Sequence, residues 1–182
     1  MTIPKIVAIS GSTRRKSSNL KLLNAIADLF SGQLEISIFN GLSGLPSFNP
    51  DDNDGNVAKS VSDFREQIRS AHGILICTPE YAHGVPGALK NAIDWTVSTN
   101  EFWKKPTALI TASSDGRFGH KALLETLRVI EAENIEELNL LIQFIKTKID
   151  ENDTIKDEQT LKDIHHLMDN LIATIHKQRR EA

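Results

Sequence analysis

The feature that most constrains this chain is a hydrophobic pattern that changes period again and again along its length. Residues 3–10 (IPKIVAIS) form a short, largely β-branched run that reads as a buried strand. After a polar stretch, Leu20, Leu22, Leu23, Ile26, Ala27 and Phe30 recur at helical spacing. Residues 34–39 (LEISIF) alternate as a strand does, and residues 40–56, rich in Gly, Pro, Asn and Asp, read as a long surface loop. Residues 57–70 are amphipathic, with Val61, Phe64 and Ile68 on one side, and residues 73–78 (GILICT) make a wholly apolar strand. The alternation continues with a loop over 79–87, a helix over 88–97, a strand over 107–112, a loop over 113–119 and a helix over 120–133. A last strand lies within 138–145 and a last helix over 158–177. Five strands interleaved with helices, without repeats or low-complexity linkers, predict one α/β domain over residues 1–182. Its parallel sheet would be covered by helices on both faces.

In such sheets ligands sit beyond the carboxyl ends of the strands. Three Gly/Ser-rich loops each follow a strand and should open together at that edge. The first, residues 11–19 (GSTRRKSSN), combines hydroxyls with three consecutive cations at the start of a helix. A phosphate monoester needs that set: hydroxyl and backbone donors, a helix N-terminus and compensating charge. Gly11 lets the backbone turn close to a ligand; Ser17, Ser18 or Asn19 caps the helix or reaches a phosphate oxygen; Arg14 is the cation nearest the turn. The loop is neither a Walker loop nor G-x-G-x-x-G, and the plain alternative is a capped helix with solvated basic residues.

The second loop, residues 79–87 (PEYAHGVPG), is stiffened by two prolines and suits the presentation of backbone N–H groups to a flat polar ring. No nucleophile with an oriented base can be assembled. Ser113 or Ser114 with His83 or His120 is conceivable, but there is no G-x-S-x-G elbow. The adjacent His165 and His166 point in different directions on a helix and suggest no metal site. Cys77, the single cysteine, reads as a small buried hydrophobe and excludes an intrachain disulfide, as suits a reducing cytoplasm. The net charge of −3 gives no footprint for nucleic acid. No apolar run of about 18 residues is present to span a membrane, and the N-terminus carries no signal-peptide pattern.

The string Gly11-Ser12-x-Arg14-x-x-Ser17-x-Asn19, taken with Pro79-Glu80-Tyr81 through Val85-Pro86-Gly87-x-Leu89-Lys90-Asn91-Ala92-Ile93-Asp94-Trp95, resembles the NADPH-dependent FMN reductase family. The similarity covers roughly the first 120 residues. It implies a flavodoxin-like three-layer sandwich with strand order 2-1-3-4-5. It also implies FMN, with its phosphate held by Ser12, Arg14, Ser17 and Asn19, aided by Gly11, Thr13 and Ser18 of the same loop. Pro79, Glu80, Tyr81 and Ala82 would lie beside the isoalloxazine, largely through main chain, and Ser113 and Gly116 would approach from the third loop. Many members have Asn at the position of Ala82 and Ser at that of Gly84, so a flavin contact is either lost or replaced by His83. The implied activity is ping-pong hydride transfer from NADPH or NADH through FMN to a small-molecule acceptor: a flavin, quinone, azo compound or metal oxyanion. No protein acid or base is obligatory for it. The resemblance further implies a homodimer or homotetramer, in which Leu45, Pro46 and Phe48 of the 40–56 loop either close over a neighbour's flavin or stay on a surface loop. The rival expectations are a flavodoxin-type electron carrier and a non-catalytic FMN-binding regulatory or interaction protein.

Overall fold

The computed structural model describes residues 2–52 and 57–181. In chain order the elements are β1 (Lys5–Ser10), α1 (Ser18–Leu29), β2 (Glu35–Phe39), α2 (Lys59–Ser70), β3 (Gly73–Thr78), α3 (Gly87–Val97), β4 (Thr107–Ser113), α4 (Arg117–Val129), β5 (Asn139–Gln143), α5 (Ile145–Lys148) and α6 (Glu158–Glu181). The strands pair in parallel in the order β2-β1-β3-β4-β5, as expected.

The central strands are apolar at successive positions because both of their faces are covered. On β3, Leu75 and Cys77 join Leu22, Leu23 and Ile26 of α1 and Ile164, Met168 and Leu171 of α6. Ile74 and Ile76 point the other way, into Val61, Phe64 and Ile68 of α2, Leu89 and Ile93 of α3, and Leu123 and Leu127 of α4. Each fully buried aliphatic side chain in these two layers stabilises the fold by about 1.5–3 kcal/mol. Some helix ends are finished by side chains. Ser17 Oγ accepts from Leu20 N at 3.0 Å to start α1. Lys105 Nζ donates to Arg69 O and Ala71 O at 3.1 and 2.7 Å, placing a cation where the carbonyls of α2 run out.

Three expectations change. The 40–56 segment is not simply a surface loop: it contains single 3-10 turns at Leu42–Gly44 and Pro50–Asp52, and Leu42 and Leu45 are buried. Pro46 O accepts from Asn91 Nδ2 and Trp95 Nε1, both at 2.9 Å, and Asn91 Oδ1 accepts from Phe48 N at 2.7 Å. The Phe48 ring meets Trp95 edge-on at 5.1 Å. The segment is thus strapped to α3 of its own chain; residues 53–56 lie outside the described residues. Second, α4 begins at Arg117 rather than 120, because Gly116 (φ +90°) turns the chain straight from the third loop into the helix. It ends at Val129 rather than 133, with Glu131 at φ +54° already out of helical geometry. Third, α5 was not anticipated at all; at four residues it is too short to show a period.

Candidate functional site

The first loop reaches β3 at very close range. Gly11 N donates to Cys77 O at 2.8 Å, and a Cβ on Gly11 would stand 2.2 Å from Thr78 Oγ1. Only glycine allows the chain to turn that near the head of β3. From there Ser12 Oγ comes within 3.4 Å of the Tyr81 hydroxyl on the second loop. Glu80 N donates to Ser113 Oγ at 3.4 Å, tying the second loop to the third. Asn19, buried in the first turn of α1, closes the circuit: its Nδ2 donates to Ala112 O at 3.2 Å and its Oδ1 accepts from Cys77 Sγ at 3.3 Å. Burial holds the Cys77 thiol protonated, far above its ordinary pKa, so it can serve as that donor.

These contacts enclose a cavity of about 380 Å³ at the carboxyl edge of the sheet. Of the residues singled out from sequence, Ser12, Arg14, Ser17, Ser18, Asn19, Pro79, Glu80, Tyr81 and Ser113 line it. Gly11 and Gly116 do not; they shape the turns behind its wall. Thr13 lines a neighbouring hollow of about 290 Å³ with Ser10, Arg15 and Asn40. Ala82 and His83 also lie off the cavity wall. They are the two central residues of a tight turn, with φ of +48° and +59°, closed by Tyr81 N to Gly84 O at 3.1 Å and Gly84 N to Tyr81 O at 2.9 Å. Positive φ at both positions is the signature of a type I′ turn. The His83 ring stacks instead on Phe118 of α4, 4.4 Å between centroids. The backbone N–H groups of Glu80 and Tyr81 are already engaged within the protein, so the platform is less main-chain in character than its sequence suggests.

Three cations and one carboxylate line the cavity. Arg14, Lys16 and Lys146 line it and have no ion pair among the described residues. The carboxylate in the wall, Glu80, accepts from Gly119 N at 2.6 Å, in the first turn of α4, where the helix end stabilises a negative group. Serine–histidine chemistry finds no support: the partner of Ser113 Oγ is Glu80 N, and both histidines are engaged elsewhere. His120 Nδ1 lies 2.9 Å from Thr111 Oγ1 and its Nε2 3.1 Å from Asn139 Oδ1. The Asn139 amide nitrogen donates to Ile135 O and Glu136 O, so Oδ1 is the acceptor and His120 carries its proton on Nε2. Burial lowers the His120 pKa and keeps the ring neutral.

Sequence reasoning missed the fourth wall. Phe144, Ile145, Lys146 and Thr147, at the end of β5, line the cavity along with Lys16 and Ser114. The rule that ligands lie beyond strand ends would have reached them. They went unnoticed because the turn there carries none of the usual turn residues: Phe144 itself takes the left-handed conformation, at φ +55°.

Residues 4–141 match the family described as NADPH-dependent FMN reductase. The chain is 31% identical over 181 residues to a 2-hydroxy-1,4-benzoquinone reductase of a Burkholderia species, a match covering 96% of this chain and 98% of that one. It is 34% identical over 161 residues to an NAD(P)H-dependent FMN reductase of Pseudomonas aeruginosa, covering 85% and 86% of the two chains. Among solved structures it resembles FerB, a flavoenzyme NAD(P)H:(acceptor) oxidoreductase from Paracoccus denitrificans, with a TM-score of 0.80, 26% identity and coverage of 96% and 98%.

Proposed function

The chain belongs to the NADPH-dependent FMN reductase family, and from that premise we propose that its 380 Å³ cavity holds FMN and that the protein passes electrons from NAD(P)H to a small oxidant. The observation that carries this reading is the division of the cavity wall. Hydroxyls and unpaired cations of residues 12–18 form one side; Pro79, Tyr81 and Phe144 supply flat or apolar surface elsewhere. An anionic tail joined to a planar head is the ligand class with that shape, and the volume falls in the range of ordinary small-molecule sites.

Ser12, Arg14, Ser17 and Ser18 would hold the phosphate, with the N-terminus of α1 behind them. Asn19 would act through the fold, since its amide fastens α1 to β3 and β4. Pro79, Glu80 and Tyr81 would border the ring system, with Ser113 and Ser114 at its side. Bound FMN supplies hydride chemistry, accepting two electrons from a nicotinamide and yielding them to the next oxidant. The wall needs no group poised to move a proton. The Glu80 carboxylate is engaged by α4, the Tyr81 hydroxyl faces Ser12, and the His120 ring sits behind Thr111. The relative that reduces 2-hydroxy-1,4-benzoquinone supports a quinone among the acceptors. A homodimer or homotetramer is part of the proposal, supported by the exposure of Trp103 and Phe118. So is a cytoplasmic location; no helix among the described residues is long and apolar enough to cross a membrane.

Anaerobic addition of NADPH or NADH to the FMN-loaded protein tests the enzyme reading. Bleaching of the flavin bands, reversed by a quinone, is expected. Flavin that stays oxidised under nicotinamide yet bleaches with dithionite would identify an electron carrier instead.

A further inference from the structure

The family match ends at residue 141, before the segment that closes the cavity on its fourth side. That segment is built to hold its position. Phe144, in the left-handed region, donates its N–H to Ser114 O at 3.3 Å, and its carbonyl accepts from Thr147 N and Thr147 Oγ1, each at 2.9 Å. Ile145 then turns into the core beside α1 and α6, and Lys156 N donates to Lys148 O at 2.8 Å, fastening the far end. A left-handed bulky residue is strained and persists only where its surroundings impose it.

What this platform carries is a cation. Five lysines surround this corner of the molecule, and three are neutralised. Lys21 is held by Asp150 O at 3.0 Å and lies 4.0 Å from Asp153; Lys148 pairs with Asp157 at 3.7 Å and Lys156 with Asp150 at 3.5 Å. Lys16, on the first loop, and Lys146, on α5, have no ion pair among the described residues. Those two line both the cavity and the open groove that continues from it. Of the two carboxylates along that groove, Asp150 already accepts from Asn152 N and Thr154 N at 2.8 and 3.0 Å, and Glu151 is exposed. Two unpaired ammonium groups, from elements far apart in sequence, therefore share the mouth of one site.

We infer that Lys146 is a positioning residue for the cofactor phosphate, closing the anion end of the cavity opposite Lys16 and completing from β5–α5 a subsite that the first loop only begins. The inference rests on FMN being the ligand. A phosphate monoester near neutral pH carries between one and two negative charges, and a mobile ammonium pairs with it as a point charge without demanding a fixed fork. The glycine- and serine-rich loop supplies direction, and Lys146 supplies charge.

Fluorescence titration of the apoprotein with FMN and with riboflavin, which lacks the phosphate, separates the possibilities. Lys146→Gln is expected to weaken FMN about tenfold while leaving riboflavin within twofold, as the loss of one charged hydrogen bond predicts. Lys146→Arg should restore most of the FMN affinity, and Lys148→Gln, which alters a lysine off the cavity wall, should change neither ligand. Unchanged FMN affinity in Lys146→Gln overturns the inference, and so does an equal loss for FMN and riboflavin, which would mark a structural role. Failure of the unaltered protein to bind FMN would instead remove the proposed function, and this inference with it.

Discussion

Single residues set the clearances on which the site depends. Gly11 is the sharpest case, because the nearest obstacle to a Cβ is Thr78, fully buried and donating through Oγ1 to Pro79 O at 3.0 Å. Rotating the Thr78 side chain would not clear the way, since its Cβ would also stand only 2.6 Å off. Gly11→Ala should therefore cost about 1–3 kcal/mol in urea unfolding, the usual range for overpacking. Thr78→Ala in the same chain should recover less than half of it, because alanine removes Oγ1 but keeps the Cβ that would stand 2.6 Å away. His120 sets a pH dependence. Its folded pKa lies below the ordinary imidazole value of about 6.5, first through burial, with the Asn139 hydrogen bond opposing. The unfolded chain takes up a proton near that pH and the folded protein does not, so this contribution is present above about pH 6.5 and is lost as the pH falls through the folded pKa. His72 shifts in the same direction, from desolvation and then the Arg179, Lys105 and Lys5 charges, so the informative quantity is a difference between proteins. Urea midpoints measured from pH 7.5 down to 5 should fall more steeply in the unaltered protein than in His120→Gln; parallel curves would show that His120 has no part in it.

At the scale of elements, capping and ligand binding meet in one side chain. Ser17 starts α1 through Leu20 N and also lines the cavity, so the two roles can be separated by chemistry. Ser17→Ala should lose about 1 kcal/mol of stability, as N-cap deletions do. Ser17→Asp keeps an N-cap acceptor, so its thermal unfolding should stay close to the parent. Its carboxylate should nonetheless weaken FMN binding at least tenfold by standing where the phosphate belongs, as a fluorescence titration would show. How much of each element could be read in advance follows from its chemistry. β3 was legible to the residue because a strand covered on both faces is apolar throughout, and Gly73 and Thr78 bound it. The start of α4 was set late because Gly116 reads as loop, whereas its left-handed backbone is the hinge that begins the helix. The 40–52 stretch looked exposed by composition; what buries Leu42 and Leu45 is α2 and α3 beside them, a tertiary fact that local sequence does not carry.

For the whole molecule, alternation implied a parallel sheet and the resemblance its strand order, and the convergence of three loops at one edge followed from every strand ending there. Loops one and two were visible because Gly, Ser and Pro mark them. The wall at residues 144–147 was not, since a phenylalanine forced into a glycine-like conformation leaves no compositional trace. The sequence reads the turn tip carrying Ala82 and His83 as lying beside the ligand; in the structure the His83 ring meets Phe118 of α4. These differences share one cause: spacing along the chain specifies which strand end a residue leaves from, and packing against neighbouring helices decides which way it then faces. A crystal structure of the protein with FMN soaked in measures the outcome directly. The expected result is the phosphate among Ser12, Arg14 and Ser17 with the isoalloxazine against Pro79 and Tyr81. Flavin density elsewhere, or in this cavity with its phosphate at residues 79–81, would contradict it.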